Sequence, residues 1–317
     1  MALTKVGKIW MNGKWVAWED AKIHVLSHVL HYASSVFEGI RCYSTPKGPA
    51  IFRLEEHMDR LMLSAKVYRM EMAFTREQIH TACIEVVAVN DVSECYIRPL
   101  IYRGYENLGV NPFGNPVDVC VACFPWGKYL GEDALTKGIA VRVASWQRMA
   151  PNTLPAMAKA SANYMNSQLV KMEALVDGYA EGIALDVNGF VSEGSGQNVF
   201  AVIKGELVTP MLANSILAGI TRESVMTLAR ELGYKVREEM MPREFLYAAD
   251  ELFFAGTAVE VSPIVSVDRI QIGDGTPGPV TREIQKAFFG IVRGESPDRH
   301  QWLTPVPVGS VAATRAS

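Results

Sequence analysis

The chain has no apolar run of the roughly 20 residues that a bilayer crossing needs. Its start, MALTKVGKIW, lacks the apolar core of a secretory signal, so the cytoplasm is the expected compartment. Neither charge sign prevails: 31 basic and 34 acidic side chains are interspersed and leave a net charge of −3. That balance excludes the basic footprint of a nucleic-acid binder and a polybasic membrane face. Cysteines are few and odd in number (Cys42, Cys83, Cys95, Cys120, Cys123), without the spacing of a disulfide framework. The lone C-x-x-C at Cys120 and Cys123 lies in VDVCVACF, which reads as a buried strand whose residues three apart face opposite sides. Core packing in a reducing compartment is expected of these thiols, and no metal site. The chain also lacks an internal repeat. Its one Gly-Ser-Gly, at 194–196, has neither the third glycine nor the following strand and acid of a dinucleotide fingerprint.

What is present is enough chain for two cores: 317 residues exceed what one ordinary domain buries. The pattern predicts an α+β / α/β fold with an N-terminal α+β domain over 1–123. An interdomain loop follows at 124–136, then a C-terminal domain over 137–317 with a mobile tail from about 304. Asn12-Gly13 predicts a hairpin over 8–18. Val36 to Tyr43 reads as one strand. Apolar residues at Leu54, Met58, Leu61, Ala65 and Tyr68 form a helix stripe, with Arg60 at its edge. A second helix is expected over Thr75–Asn90. His24, His28 and His31 have helical spacing, but no carboxylate or cysteine joins them at ligand distance, so each is expected to bond the backbone. Trp126 and Tyr129, in the Pro/Gly-rich connection, are expected to line a cleft.

Glu181 to Arg222 carries the densest signal. Asn188-Gly189 and Lys204-Gly205 predict two tight reversals, and Glu193 follows the first amid small residues. Gly219-Ile220-Thr221-Arg222 opens a helix, with Thr221 as the expected N-cap, and offers backbone N–H groups to an anion. The strand turn at Gly256-Thr257-Ala258 offers a second set of donors. Upstream, Lys159 stands among small uncharged neighbours; burial there makes an amine a better nucleophile. Together these features describe a phosphorylated cofactor that bonds to lysine.

These motifs resemble those of the branched-chain amino-acid aminotransferases, fold-type IV pyridoxal-phosphate enzymes. The signature residues are Glu193-Gly-Ser-Gly-Gln-Asn198-Val-Phe200, Thr209 and Leu217-Ala-Gly219-Ile220-Thr221-Arg222. SVFEGIRCY, HMDRL, YIRPL, FPWGKYLG, APNTLPAMAKA and the AGTA turn at 255–258 carry the likeness over about Gly7 to Gly294. The resemblance implies an active site at the domain interface and pyridoxal 5'-phosphate held as a Schiff base on Lys159, which then shuttles a proton. Glu193 would keep the ring nitrogen protonated and Tyr164 would bond the ring oxygen. Arg60, Ile220, Thr221 and Thr257 would hold the phosphate, and Leu217 would press on the ring.

On the substrate side it implies an α-carboxylate site at Tyr96, Thr257 and Ala258, and an apolar pocket of Phe37, Gly39, Trp126, Tyr129 and Tyr164. Tyr32, Leu108 and Val110 would come from a neighbouring subunit, so at least a homodimer is expected. Arg98 would receive the distal carboxylate of glutamate and find other hydrogen bonds when leucine is bound. The activity implied is reversible, ping-pong amino transfer between leucine, isoleucine or valine and 2-oxoglutarate. D-amino-acid transaminase, (R)-amine transaminase and aminodeoxychorismate lyase share the fold; Tyr96-Ile97-Arg98-Pro99, Trp126, Tyr129 and FEGIR favour the branched-chain group. Ala33-Ser34 and Ser161-Ala162 depart from Gly-Thr and Gly-Gly in many relatives.

Overall fold

The computed structural model describes residues 4–127, 129–131 and 133–307. It divides into two compact units, each with its own sheet. Of the described residues, the first takes in those up to Gly127, Ala158–Ala162 and those from Gly290; the second holds the remainder.

The first unit is built on an eight-stranded antiparallel sheet. Its order is Leu303–Pro305, Gly48–Phe52, Ile40–Thr45, Cys95–Arg103, Val117–Phe124, Lys8–Met11 and Lys14–Ala17, with Ser35–Phe37 also paired to Cys95–Arg103. The hairpin at Asn12-Gly13 forms as expected, both residues having positive φ (48° and 82°). Helix Leu54–Val67 buries Leu54, Met58, Leu61 and Ala65, four of the five stripe residues. Helix Arg76–Val89 starts at a capping box in which Thr75 and Gln78 bond each other's backbone. The core beneath them includes Cys42, Cys83, Cys95 and Cys123.

The second unit holds a nine-stranded mixed sheet. Its order is Val191–Gly194, Glu181–Leu185, Ile139–Val143, Glu260–Val267, Glu251–Gly256, Asn198–Ile203, Glu206–Pro210 and Val236–Glu239; Ile270–Gln271 pairs beside Glu260–Val267. Helix Asn163–Val176 packs on Glu181–Leu185. No helix among the described residues is long and apolar enough to cross a membrane.

Several sequence expectations need correcting. The segment expected as one strand from Val36 breaks at Glu38-Gly39, because Glu38 turns inward to bond two side chains of the neighbouring helix. The Asn188-Gly189 reversal is longer than a two-residue turn. Asp186 and Phe190 close it, Asp186 Oδ1 accepts from the amides of Asn188 and Phe190, and only Gly189 takes positive φ. The helix expected to be capped by Thr221 starts at Ile220, with Gly219 as N-cap and no side-chain cap. The segment Ala158–Ala162, expected in the C-terminal domain, belongs to the first unit because it pairs with Ser35–Phe37. The tail expected to be mobile from about 304 continues instead as a strand on Gly48–Phe52, and Val306 is buried in the core. The rest of that expectation concerns residues 308–317, which lie outside the described residues.

Candidate active site

In the first unit, the segment around Lys159 is held as if it were one more strand. Phe37 N donates to Lys159 O (3.0 Å), Ser161 N to Ser35 O (2.9 Å), and the Ser35 hydroxyl to the Ser161 hydroxyl (2.7 Å). A glycine at 161 could not make the last bond. This pairing sets the Lys159 amine over the Phe37 ring, 5.2 Å from its centroid. The Arg98 guanidinium lies over the same ring at 4.7 Å and over Tyr96 at 5.4 Å. Arg98 Nε is buried and has no hydrogen-bond partner among the described residues, and its guanidinium packs on the two ring faces. Tyr96 also packs on Trp126 (4.9 Å) and Phe124 (5.8 Å). A Cβ at Gly39 would fall 1.7 Å from the Tyr96 hydroxyl, so only glycine admits that ring.

Helix Leu54–Val67 presents His57, Arg60 and Ser64 on one face, spaced three and four residues apart. Arg60 donates to both oxygens of Glu38 (2.7 and 2.8 Å), and His57 Nδ1 lies 2.7 Å from the same carboxylate. Glu38 is fully buried. Burial alone would raise its pKa, but Arg60 and then His57 hold it well below the usual carboxylate range. Burial pushes the His57 pKa down; Glu38 opposes this, while Arg60 and Lys159 add to it. Ser64 accepts from Lys159 N (3.0 Å) and donates to Arg60 O (2.8 Å), which joins the lysine segment to the arginine. Glu38, His57 and Ser64 were not singled out from the sequence. For His57 and Ser64 the signal was their spacing with Arg60 on one helix face, next to the buried stripe.

In the second unit, Glu193 is buried and both of its oxygens accept hydrogen bonds. Arg148 Nη2 reaches Oε1 at 2.8 Å; Asn198 Nδ2 and Leu217 N reach Oε2 at 3.1 and 3.2 Å. Asn198 also donates to Leu217 O (3.0 Å), so the acid, the amide and the Leu217 segment form one knot. A Cβ at Gly219 would lie 1.9 Å from Asn198 Oδ1, which ties the start of helix Ile220–Glu231 to that knot. Ile220 and Thr221 are buried in its first turn. Arg148 escaped the sequence reading because it lies in a loop, 45 positions before its partner. Tyr164 stands in the first turn of the helix whose Asn166 and Ser167 hold Arg148. Thr257 and Ala258 occupy the turn between two strands, and Ala258 shares a small recess with Tyr129 and Val259. Lys171 lies over the Tyr129 ring at 5.4 Å and bonds Glu181.

The residues expected to serve a neighbouring subunit form a separate group. Tyr32, Leu108 and Val110 are 42%, 52% and 86% exposed. His28 ties their two segments: its amide donates to Gly104 O (3.0 Å), and its Nε2 is 2.9 Å from Gly109 O. The other two histidines of the trio make local contacts, His24 with Leu26 N and His31 with Val25 O.

Comparison with known proteins shows what the chain as a whole is similar to. A family model described as amino-transferase class IV matches residues 35–267. The branched-chain-amino-acid aminotransferase of Salmonella typhimurium is 53% identical over 307 residues, covering 96% of this chain and 99% of that protein. The crystal structure of the Escherichia coli branched-chain amino acid aminotransferase superposes with a TM-score of 0.94 at 54% identity, covering 96% of this chain and all of that one. The branched-chain aminotransferase of the thermophilic archaeon Thermoproteus uzoniensis, with norvaline, superposes with a TM-score of 0.91 at 40% identity, covering 96% of this chain and all of that one. A match of this extent places the chain in the class IV aminotransferases.

Proposed function

We propose that the protein transfers the amino group reversibly between leucine, isoleucine or valine and 2-oxoglutarate, in two half-reactions on pyridoxal 5'-phosphate. What carries the reading is the Phe37 ring, which has the Lys159 amine and the Arg98 guanidinium over it. A nucleophile and a carboxylate receptor thus share one apolar wall, which suits a pocket that takes both leucine and glutamate.

The residues fit the cofactor by their own chemistry. Lys159 offers an amine against an aromatic ring, Glu193 a buried carboxylate, and Gly219 a helix start that no side chain caps. When bound, the cofactor supplies an electron sink for the pair left as the substrate Cα loses its proton. Lys159 anchors it, and its Nζ carries the Cα proton. Glu193 keeps the ring nitrogen protonated, Tyr164 bonds the ring oxygen, and Leu217 supports the ring face. Arg60, pinned by Glu38, joins Ile220, Thr221 and Thr257 on the phosphate.

Tyr96, Thr257 and Ala258 hold the substrate α-carboxylate. Phe37, Gly39, Trp126, Tyr129 and Tyr164 exclude water from its side chain, and Arg98 takes the distal carboxylate of glutamate. Tyr32, Leu108 and Val110 serve the pocket of a second copy, for which their exposure speaks, together with that of Val25, Leu30 and Phe113. The five free thiols suit a reducing cytoplasm.

A panel of L- and D-amino acids with 2-oxoglutarate tests the assignment. Turnover of L-leucine, L-isoleucine and L-valine above all others is expected; preference for D-amino acids or (R)-amines would refute it.

A further inference from the structure

We propose that Arg148 is the positioning residue that keeps Glu193 anionic, and so decides where the proton shared with the cofactor's ring nitrogen resides. The inference rests on the reading that Glu193 faces that nitrogen; its own evidence is the surroundings of the carboxylate.

Arg148 and Glu193 are 6% and 5% exposed, so water does little to stabilise either charge. Asn198 and Leu217 bring dipoles to Oε2, whereas Arg148 brings a full positive charge to Oε1 at 2.8 Å. In a buried site, a nearby cation favours the anionic form of a carboxyl group, and without one, burial favours the neutral acid. Arg148 is also fixed in place. Its Nη1 donates to Asn166 Oδ1 at 3.0 Å, Ser167 Oγ lies 3.4 Å away, and its amide donates to Leu185 O at 2.8 Å. The guanidinium therefore belongs to the scaffold of the second unit rather than to a mobile side chain.

A proton between a carboxylate and a pyridine-type nitrogen rests on the stronger base. By stabilising the carboxylate, Arg148 makes it the weaker base, and the proton stays on the nitrogen. Replacing Arg148 by a neutral residue moves the proton from nitrogen to Glu193 without changing the number of protons in the pair. The ring then carries no positive charge and draws electrons from the substrate Cα less strongly.

The test uses holoenzyme reconstituted with cofactor labelled with 15N in the ring, comparing wild type with Arg148→Met, Arg148→Gln and Arg148→Lys by NMR. Wild type and Arg148→Lys are expected to show a protonated ring nitrogen. The two neutral variants are expected to shift toward the unprotonated position, with kcat for leucine lower by roughly tenfold for each unit of proton affinity moved. A protonated signal in a folded neutral variant would overturn the proposal. So would lower thermal stability or cofactor affinity with the nitrogen signal unmoved, the outcome of a merely structural role. Glu193→Gln separates the two ideas: if it too leaves the signal unchanged, the placement of Glu193 at the nitrogen fails instead.

Discussion

Glu38 and Arg60 meet in a two-point ion pair: Nε on Oε1 at 2.7 Å and Nη2 on Oε2 at 2.8 Å, with the acid sealed from solvent. Two of the five guanidinium N–H groups are spent on this acid, which fixes the plane of the Arg60 guanidinium. Removing one partner of a buried pair costs far more than replacing both by apolar groups. Glu38→Gln should therefore lower the stability of the cofactor-free protein by about 3–5 kcal/mol. The double change Glu38→Leu with Arg60→Leu should cost less. Urea unfolding checks both, and a Glu38→Gln chain as stable as wild type would show that the pair does not organise this face.

His57 gives a prediction about pH. Burial lowers its pKa, so the unfolded chain takes up a proton near the ordinary histidine value, about 6.5, while the folded chain does not. With more protons on the unfolded state, stability falls as pH drops below that value, by at most about 1.4 kcal/mol per pH unit. The Glu38 pKa is depressed, so its stabilising contribution is lost only at more acid pH, below the usual carboxylate range. His57→Asn should remove the histidine component, leaving a flatter profile between pH 7 and 5.5 in urea titrations. An equally steep profile in the variant would place the pH dependence on other groups.

Gly219 is the hinge of the knot around Glu193. A methyl group there would meet Asn198 Oδ1 at 1.9 Å, and Asn198 is the residue that bonds both Glu193 and Leu217 O. Gly219→Ala must therefore push Asn198 off the carboxylate. Cofactor affinity, measured by fluorescence titration of the cofactor-free protein, should weaken by about tenfold, as for the loss of one charge-assisted hydrogen bond. Unchanged affinity would mean that Asn198 yields without disturbing the site.

The sequence disclosed the parts of this architecture that depend on local order. The Asn12-Gly13 hairpin, the Leu54–Ala65 stripe and the helix expected over Thr75–Asn90 each rest on residues a few positions apart, and each appears in the structure, the last as Arg76–Val89. The family was legible in the motifs around Lys159, Glu193 and Gly219. What stayed hidden was the scaffolding: Glu38 with Arg60, Arg148 with Glu193, Ser64 beneath Lys159. Those pairs are separated by 22, 45 and 95 positions, and their partners are chosen by sheet order and helix facing. The turn after Asp186 shows the same limit at short range, because the aspartate side chain, rather than the Asn-Gly pair, selected its length.

Arg98 supplies the sharpest test of the substrate reading. Its guanidinium lies over two aromatic faces, and its buried Nε lacks a hydrogen-bond partner among the described residues. Ring faces stabilise the cation when an aliphatic side chain fills the pocket, while a carboxylate offers it a charged partner. Arg98→Ala should therefore raise the barrier for glutamate by about 2–5 kcal/mol, the cost of truncating one side of a buried charge pair. For leucine the loss should be no more than a few tenths to about 1 kcal/mol, as for a cation–π contact. Steady-state kcat/KM for each amino donor, with holoenzyme at saturating cofactor, measures the difference directly. Equal losses for the two donors would remove Arg98 from the recognition of glutamate and leave it a packing residue of Phe37 and Tyr96.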